Sequence, residues 1–280
     1  PLSVCMSDPD SSRPLSRELG LLGAVMMGLG SIVSTGVFVS LGVAAGIAGP
    51  AVIIAVAIGA GVATCNGLSS AQLAASHAVS GGTYEYGYKY LSPPLGFTAG
   101  WMFLVAKSMS AATAALGFSG YLLGAFGVEA EGLLVPVALG AVLVLTGVVL
   151  LGMRRSNAAN ITIVSITLGA LLFFVGAGSP TALSNGTANF AGFFDTPAGE
   201  GGWNALLYAS ALMFVAYTGY GRIATLGEEV KAPRTTIPRA IIVTLVVTMT
   251  LYGAVAVVGI GSVGAGALSA AADQDAAPLV

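Results

Sequence analysis

The chain has 280 residues, 56% of them hydrophobic and only 8% charged, with a net charge of −2 and a mean hydropathy of +0.90. A soluble domain carries about 25% charged residues, so this composition excludes an ordinary water-facing globule and points to an integral membrane protein. The slight acidity leaves no basic face for nucleic acid. Cys5 and Cys65 form neither a disulfide framework nor a metal spacing, and a single histidine, His77, excludes the paired-histidine helix of a membrane metalloprotease.

Residues 1–17 are polar and read as a flexible N-terminal arm, with no cleavable signal peptide evident. Spanning hydrocarbon takes about 20 apolar residues per helix. Seven segments qualify, at roughly 20–46, 51–75, 96–126, 133–153, 157–178, 203–226 and 239–262. Short turns such as GIAGP join some of them. The stretch SGGTYEYGYKYLSPP, 80–94, is aromatic and amphipathic and is expected along the membrane interface. The longest polar connection runs from 179 to 202.

Orientation follows from the basic residues. With the N-terminus cytoplasmic, the inner connections hold Arg13, Arg17, Lys89, Arg154, Arg155, Lys231, Arg234 and Arg239, eight of the ten Lys and Arg. The outer connections hold none, only Glu129, Glu131, Asp195, Glu200, Asp273 and Asp275. Lys107 and Arg222 fall inside predicted spans.

The first span contains GLGSIVSTGVF, 28–38, with three glycines and three hydroxyl residues. Each interior Gly weakens a helix by roughly 1 kcal/mol relative to Ala, and Ser and Thr offer the backbone other partners. In lipid, non-helical backbone persists only when buried in protein or lining a cavity. Close packing through small residues is the competing explanation, and it suits GVAAG, 42–46, better. The sixth span has its own interruption, YTGYG at 217–221, five helices later. Paired Gly-broken segments at equivalent positions are what two inverted repeats would give at a transporter's binding site. An unwound turn frees N–H groups for a carboxylate and carbonyls for an ammonium or small cation. An amino acid zwitterion presents both charges.

At the level of motifs, GSIVSTGVFVSLG resembles the first-helix signature of amino acid–polyamine–organocation (APC) permeases. LSSAQLAASHAVSGGTYEYGYKYLSPPLGFTAGW resembles their second helix, inner loop and start of the third. FVAYTGYGRIATLGEEVKAPRTTIPRAI resembles their sixth helix and the loop after it. The resemblance covers about 18–262 in order. It implies an all-α integral membrane protein of the leucine-transporter-type 5+5 inverted-repeat fold, with discontinuous helices 1 and 6. Of its twelve helices this chain would carry the first repeat, 18–178, an extracellular loop, 179–202, and two helices of the second repeat, 203–262. Residues 263–280 would lead toward an eighth helix.

The resemblance also assigns residues. Ser34, Thr35 and Gly36 would meet a substrate carboxylate. Carbonyls around Ile32 and Val33, and around Thr218 and Gly219, would meet its amino group. Phe214, Val215 and Tyr217 would shape the side-chain pocket and outer gate, with Ala111 and Ala114 facing the same cavity. Ser34 stands where the family often has Gly. Ser165 and Thr167 stand near where some proton-coupled relatives carry a lysine.

Lys107 lies near mid-bilayer, where a charge costs roughly 2.5–3.5 kcal/mol on insertion scales. It is either a structural lysine, held by helix-end carbonyls or snorkelling along the span, or a functional one: the coupling charge missing from the fifth helix, exchanging a proton or occupying a sodium position, or a partner of the substrate carboxylate. Arg222 is either a gating or anchoring residue or an interfacial arginine that snorkels, and Glu228 and Glu229 with Lys231, Arg234 and Arg239 form either an inner gate or a solvated cytosolic loop. The expected function is a cell-membrane secondary transporter of an amino acid or related amine, with H⁺ or Na⁺ as coupling ion and no cofactor or metal. A small or apolar substrate fits Ala111 and Ala114 best. A non-transporting sensor or scaffold of the same fold is the alternative. No Gly-x-Ser-x-Gly and no paired carboxylates within a span support catalysis.

Overall fold

The computed structural model describes residues 17, 19–33, 36–128, 131–194 and 202–275, and all regular elements among them are helical. Helices occupy each of the seven predicted apolar segments. The first is broken into α1 (Leu21–Ile32), a π-helical turn (Gly36–Ser40) and α2 (Leu41–Ala48). Gly49, at φ 61°, and Pro50 then reverse the chain into α3 (Val52–Ser76). A short helix, α4 (Thr83–Tyr90), carries the aromatic stretch of the first long loop. It leads into α5 (Pro93–Ala125), α6 (Leu134–Leu150) and α7 (Met153–Asn185). The sixth segment is again broken, as α8 (Gly202–Tyr217), a 3₁₀ turn (Thr218–Tyr220) and α9 (Gly221–Ala224). The last is α10 (Pro233–Asp275), whose backbone leaves helical geometry at Gly264, φ 81° and ψ 163°.

Among the described residues, four helical stretches are long and apolar enough to cross a membrane: Leu21–Ser76, Pro93–Ala125, Arg155–Asn185 and Pro233–Ala272. The core lies where α1, α2, α3, α8 and α10 meet. On α3 the buried Ala55, Gly59, Ala63, Gly67 and Ala71 recur every fourth residue and form a small-residue stripe. That stripe lets backbones approach closely, as it does in membrane helix pairs. Gly59 sits on the backbone of Met213 and Phe214 in α8, and Gly67 faces Leu245 in α10. In contrast, α5, α6 and the outer side of α7 leave large apolar side chains exposed, among them Leu143, Leu150 and Phe173. Helices that satisfy their own backbone while exposing such residues suit hydrocarbon.

Helix α7 runs further than its apolar pattern suggests. Pro180, which reads as the start of a turn, lies inside the helix. The end is anchored instead by Asn185, whose Nδ2 donates to the carbonyls of Gly261 and Ser262 at 3.1 and 2.9 Å. Asn189 adds a 2.8 Å bond to the Gly261 carbonyl. These acceptors lie just before the Gly264 kink, where α10 can no longer supply all its own donors.

Candidate functional site

The two interrupted helices touch at their interruptions. Helix α1 stops at Ile32, and the Val33 N–H closes its last turn on the Leu29 carbonyl at 2.7 Å. Ser34 and Thr35 lie outside the described residues. Gly36 then packs directly on α8: a Cβ there would lie 2.8 Å from the Ala216 Cβ and 3.1 Å from its carbonyl oxygen. On the other side of the contact, a Cβ on Gly219 would overlap the Ser31 carbonyl and press on Ile32 Cγ1 at 2.5 Å. Neither position has room for a side chain. The remaining glycines of the first stretch have a plainer explanation: Gly28 packs on Ile223 and Thr244, and Gly30 on Asn160 and Val164.

Tyrosines from other helices bond the carbonyl at the end of α1 and one in the π-helical turn that follows the break. Tyr252 of α10 donates from Oη to the Ile32 carbonyl at 2.8 Å, and Tyr121 of α5 donates to the Phe38 carbonyl at 3.0 Å. The Tyr252 ring lies on the Tyr217 ring, centroids 5.0 Å apart and tilted by 34°. Both side chains are fully buried, at 1% and 0% exposure, and the Tyr217 hydroxyl has no partner among the described residues. Thr218 turns its hydroxyl back to the Val215 carbonyl at 2.8 Å. Phe214 is half-buried, whereas Val215 is 63% exposed.

Lys107 is half-buried and reaches the first break from α5. Its Nζ donates to Ser31 Oγ at 3.2 Å and lies 5.8 Å from the centroid of the Phe103 ring. On the same helix Ala114 is half-buried and Ala111 is exposed. On α7, Ser165 is exposed and Thr167 bonds back to the Ile163 carbonyl at 2.9 Å. The polar α7 side chain that does reach the first helix is Asn160, whose Nδ2 donates to the Met26 carbonyl at 3.1 Å. Asn160 and Tyr252 carried no signal in the sequence beyond being polar atoms in apolar spans.

At the end of the bundle where α1 begins, two backbone bonds join the segment before α1 to the loop after α9. The Leu19 N–H donates to the Glu229 carbonyl at 3.0 Å, and the Lys231 N–H to the Leu19 carbonyl at 2.8 Å. Arg222 is exposed and bonds Thr225 at 3.4 Å; it forms no ion pair with Glu228 or Glu229 among the described residues. The arginine bonds the Thr225 hydroxyl just past the end of α9, and Glu228 and Glu229 lie in the non-helical loop beyond, out of reach of a pairing along one helix face. Nearby, Lys89 Nζ lies 2.6 Å from His77 Nδ1, and His77 Nε2 lies 3.7 Å from Glu85.

Chemically, the arrangement offers main-chain acceptors at a helix end, a buried phenol, and an ammonium group two residues' reach from the break. The family model for amino acid permeases matches residues 23–279. An uncharacterized transporter of Mycobacterium tuberculosis is 41% identical over 266 residues, covering 95% of this chain and 58% of that protein. A branched-chain amino acid permease of Bacillus subtilis is 28% identical over 268 residues, covering 89% and 56%. A methylthioribose transporter of the same organism is 29% identical over 269 residues, covering 90% and 57%. The chain thus spans a little over half the length of these relatives, which are transporters and not enzymes. The chain belongs to the amino acid permease family of the APC superfamily.

Proposed function

We propose that this chain works as part of a secondary active transporter that moves an amino acid or related amine across the cell membrane. The observation that carries the reading is the abutment of the two helix breaks, Gly36 on Ala216 and Gly219 on Ser31. Unwound backbone at membrane depth is retained where it lines a site. The substrate carboxylate meets the turn at Ser34, Thr35 and Gly36, and its ammonium meets carbonyls at Ile32, Val33, Thr218 and Gly219. Phe214, Val215 and Tyr217 shape the side-chain pocket, with Ala111 and Ala114 along its wall.

The two breaks belong to inverted five-helix repeats, 18–178 and the repeat beginning at 203, which rock against each other to alternate access. Lys107 supplies the coupling charge and exchanges a proton, with Ser165 and Thr167 in the place of a fifth-helix lysine. Arg222, Glu228 and Glu229 form the inner gate beside a cytoplasmic N-terminus. Small alanines in the wall, and a relative named for branched-chain amino acids, favour a small or apolar substrate. The test is uptake of a radiolabelled amino acid and amine panel by the full-length protein in proteoliposomes, with and without a pH gradient. Uptake of an apolar amino acid stimulated by an inward proton gradient is expected. Failure to accumulate any compound of the panel overturns the reading.

A further inference from the structure

We infer that Tyr252 is a positioning residue for substrate recognition, holding the Ile32 carbonyl so that its second lone pair faces the substrate's ammonium group. The inference rests on the transport reading above and adds a residue from α10 to that site.

Helix α1 ends at Ile32, so the Ile32 carbonyl is one of the last four and has no donor within its own helix. A free carbonyl at a helix end can rotate and can be satisfied in several ways. Here one side chain fixes it. Tyr252 Oη donates to it at 2.8 Å from a helix 220 positions away in sequence. A carbonyl oxygen has two lone pairs, and a single phenol takes one. The other stays available to a cation arriving at the break. A carbonyl already polarised by one hydrogen bond is oriented before the ligand arrives, which lowers the ordering cost of binding.

The ring of Tyr252 is itself pinned. It is fully buried and lies against Tyr217, at the lip of the second break. The hydroxyl therefore cannot swing to another acceptor without disturbing the packing between α8 and α10. One side chain registers both breaks: its oxygen sets the first and its ring sets the second. The Tyr217 hydroxyl is buried and without a partner among the described residues. A buried donor left unpaired is costly unless something bound at the site pairs with it.

The test uses the full-length protein in proteoliposomes. The probes are L-alanine, L-leucine and L-lysine, with propionate, 4-methylpentanoate and 6-aminohexanoate as their analogues lacking the α-amino group. Tyr252→Phe keeps the ring and removes one oxygen. It is expected to raise KM for the transported amino acid roughly 3- to 10-fold while kcat stays within about twofold. Inhibition by the matching analogue should change by less than about twofold, since that analogue has no α-ammonium to lose. Site-specific 3-fluorotyrosine at position 252 keeps shape and donor and should leave KM within about twofold of wild type.

An unchanged KM in Tyr252→Phe overturns the inference. So does a loss that weakens amino acid and analogue equally, which is what general loosening would give. A KM for the fluorotyrosine protein raised about threefold or more over wild type overturns it too, and this readout stands even if the Phe variant fails to fold. Wild-type protein that takes up none of the three amino acids overturns the transport reading itself, and this inference with it; the other outcomes leave transport standing.

Discussion

Replacing Gly219 by Ala tests whether the two broken helices meet as closely as described. The added Cβ would lie 2.5 Å from the Ser31 carbonyl carbon and 2.5 Å from Ile32 Cγ1, and nearer still to the Ser31 oxygen. Non-bonded carbons rest about 3.5–4.0 Å apart, so the two segments must separate by roughly 1 Å. The obstacle is main chain, so no flexible side chain can turn away. Overpacking of this kind costs about 1–3 kcal/mol, and the upper half of that range is expected here. Moving the end of α1 by that distance also displaces the Ile32 carbonyl from Tyr252 Oη, at the centre of the proposed site.

The assay pairs thermal unfolding of the purified protein in detergent with uptake in proteoliposomes. Gly140→Ala is the control: it lies on α6, and a Cβ there meets nothing within 4 Å. In a helix interior that change is neutral or stabilising by up to about 1 kcal/mol. The expected result is a lower unfolding temperature and an uptake loss of about tenfold or more for Gly219→Ala, with Gly140→Ala at or above wild type. If Gly219→Ala unfolds at the wild-type temperature and transports normally, the close contact between the breaks is refuted, and with it the central geometric argument for the site.

Lys107→Met should abolish stimulation of uptake by a proton gradient, measured as uptake against pH; an unchanged rate and profile would remove Lys107 from coupling. Gly59→Ala meets main-chain nitrogen at 2.9 Å, whereas Gly67→Ala meets side chains alone, pressing on the end of Leu245 and touching Ile241 at 3.6 Å. The former should therefore lower stability more, by about 1 kcal/mol, in the same unfolding assay. Tyr86, on α4 outside the spans, has a buried hydroxyl with no partner among the described residues, and burial pushes its pKa up to about 12. In the unfolded chain it ionises near 10, so its contribution to stability is complete below that pH and is lost as pH rises toward about 12. Tyr86→Phe should be as stable as wild type or more so at neutral pH, with a shallower alkaline loss; a clear destabilisation at neutral pH would show that the hydroxyl is paired.

The two breaks were legible because they depend on local chemistry. Runs such as GLGSIVSTGVF and YTGYG weaken a helix wherever they occur, and their spacing could be read directly. That the breaks abut, Gly36 on Ala216 and Gly219 on Ser31, is a tertiary fact that their spacing in the chain did not state. The partners of the freed carbonyls were not legible. Tyr252 meets Ile32 across 220 positions and Lys107 meets Ser31 across 76, so only the packed bundle brings them together. The full length of α7 was not legible for a related reason. Pro180 normally signals a helix end, but the asparagine anchors on α10 hold the last turn beyond it, and those anchors are tertiary. Whether the small residues of α3 faced lipid or protein was equally invisible until α8 and α10 were seen to lie on them.

The pair of backbone bonds between Leu19 and the loop after α9 has a consequence for motion. They tie the segment before α1 to the loop after α9, so in the rocking motion proposed above α1 and α9 would move as one lever rather than two. Two such bonds together contribute roughly 1–3 kcal/mol, enough to bias a two-state equilibrium by about 5- to 150-fold. A ligand that swings only one of the two helices must first supply that energy. A ligand that grips both at once leaves the tie intact and moves the lever whole.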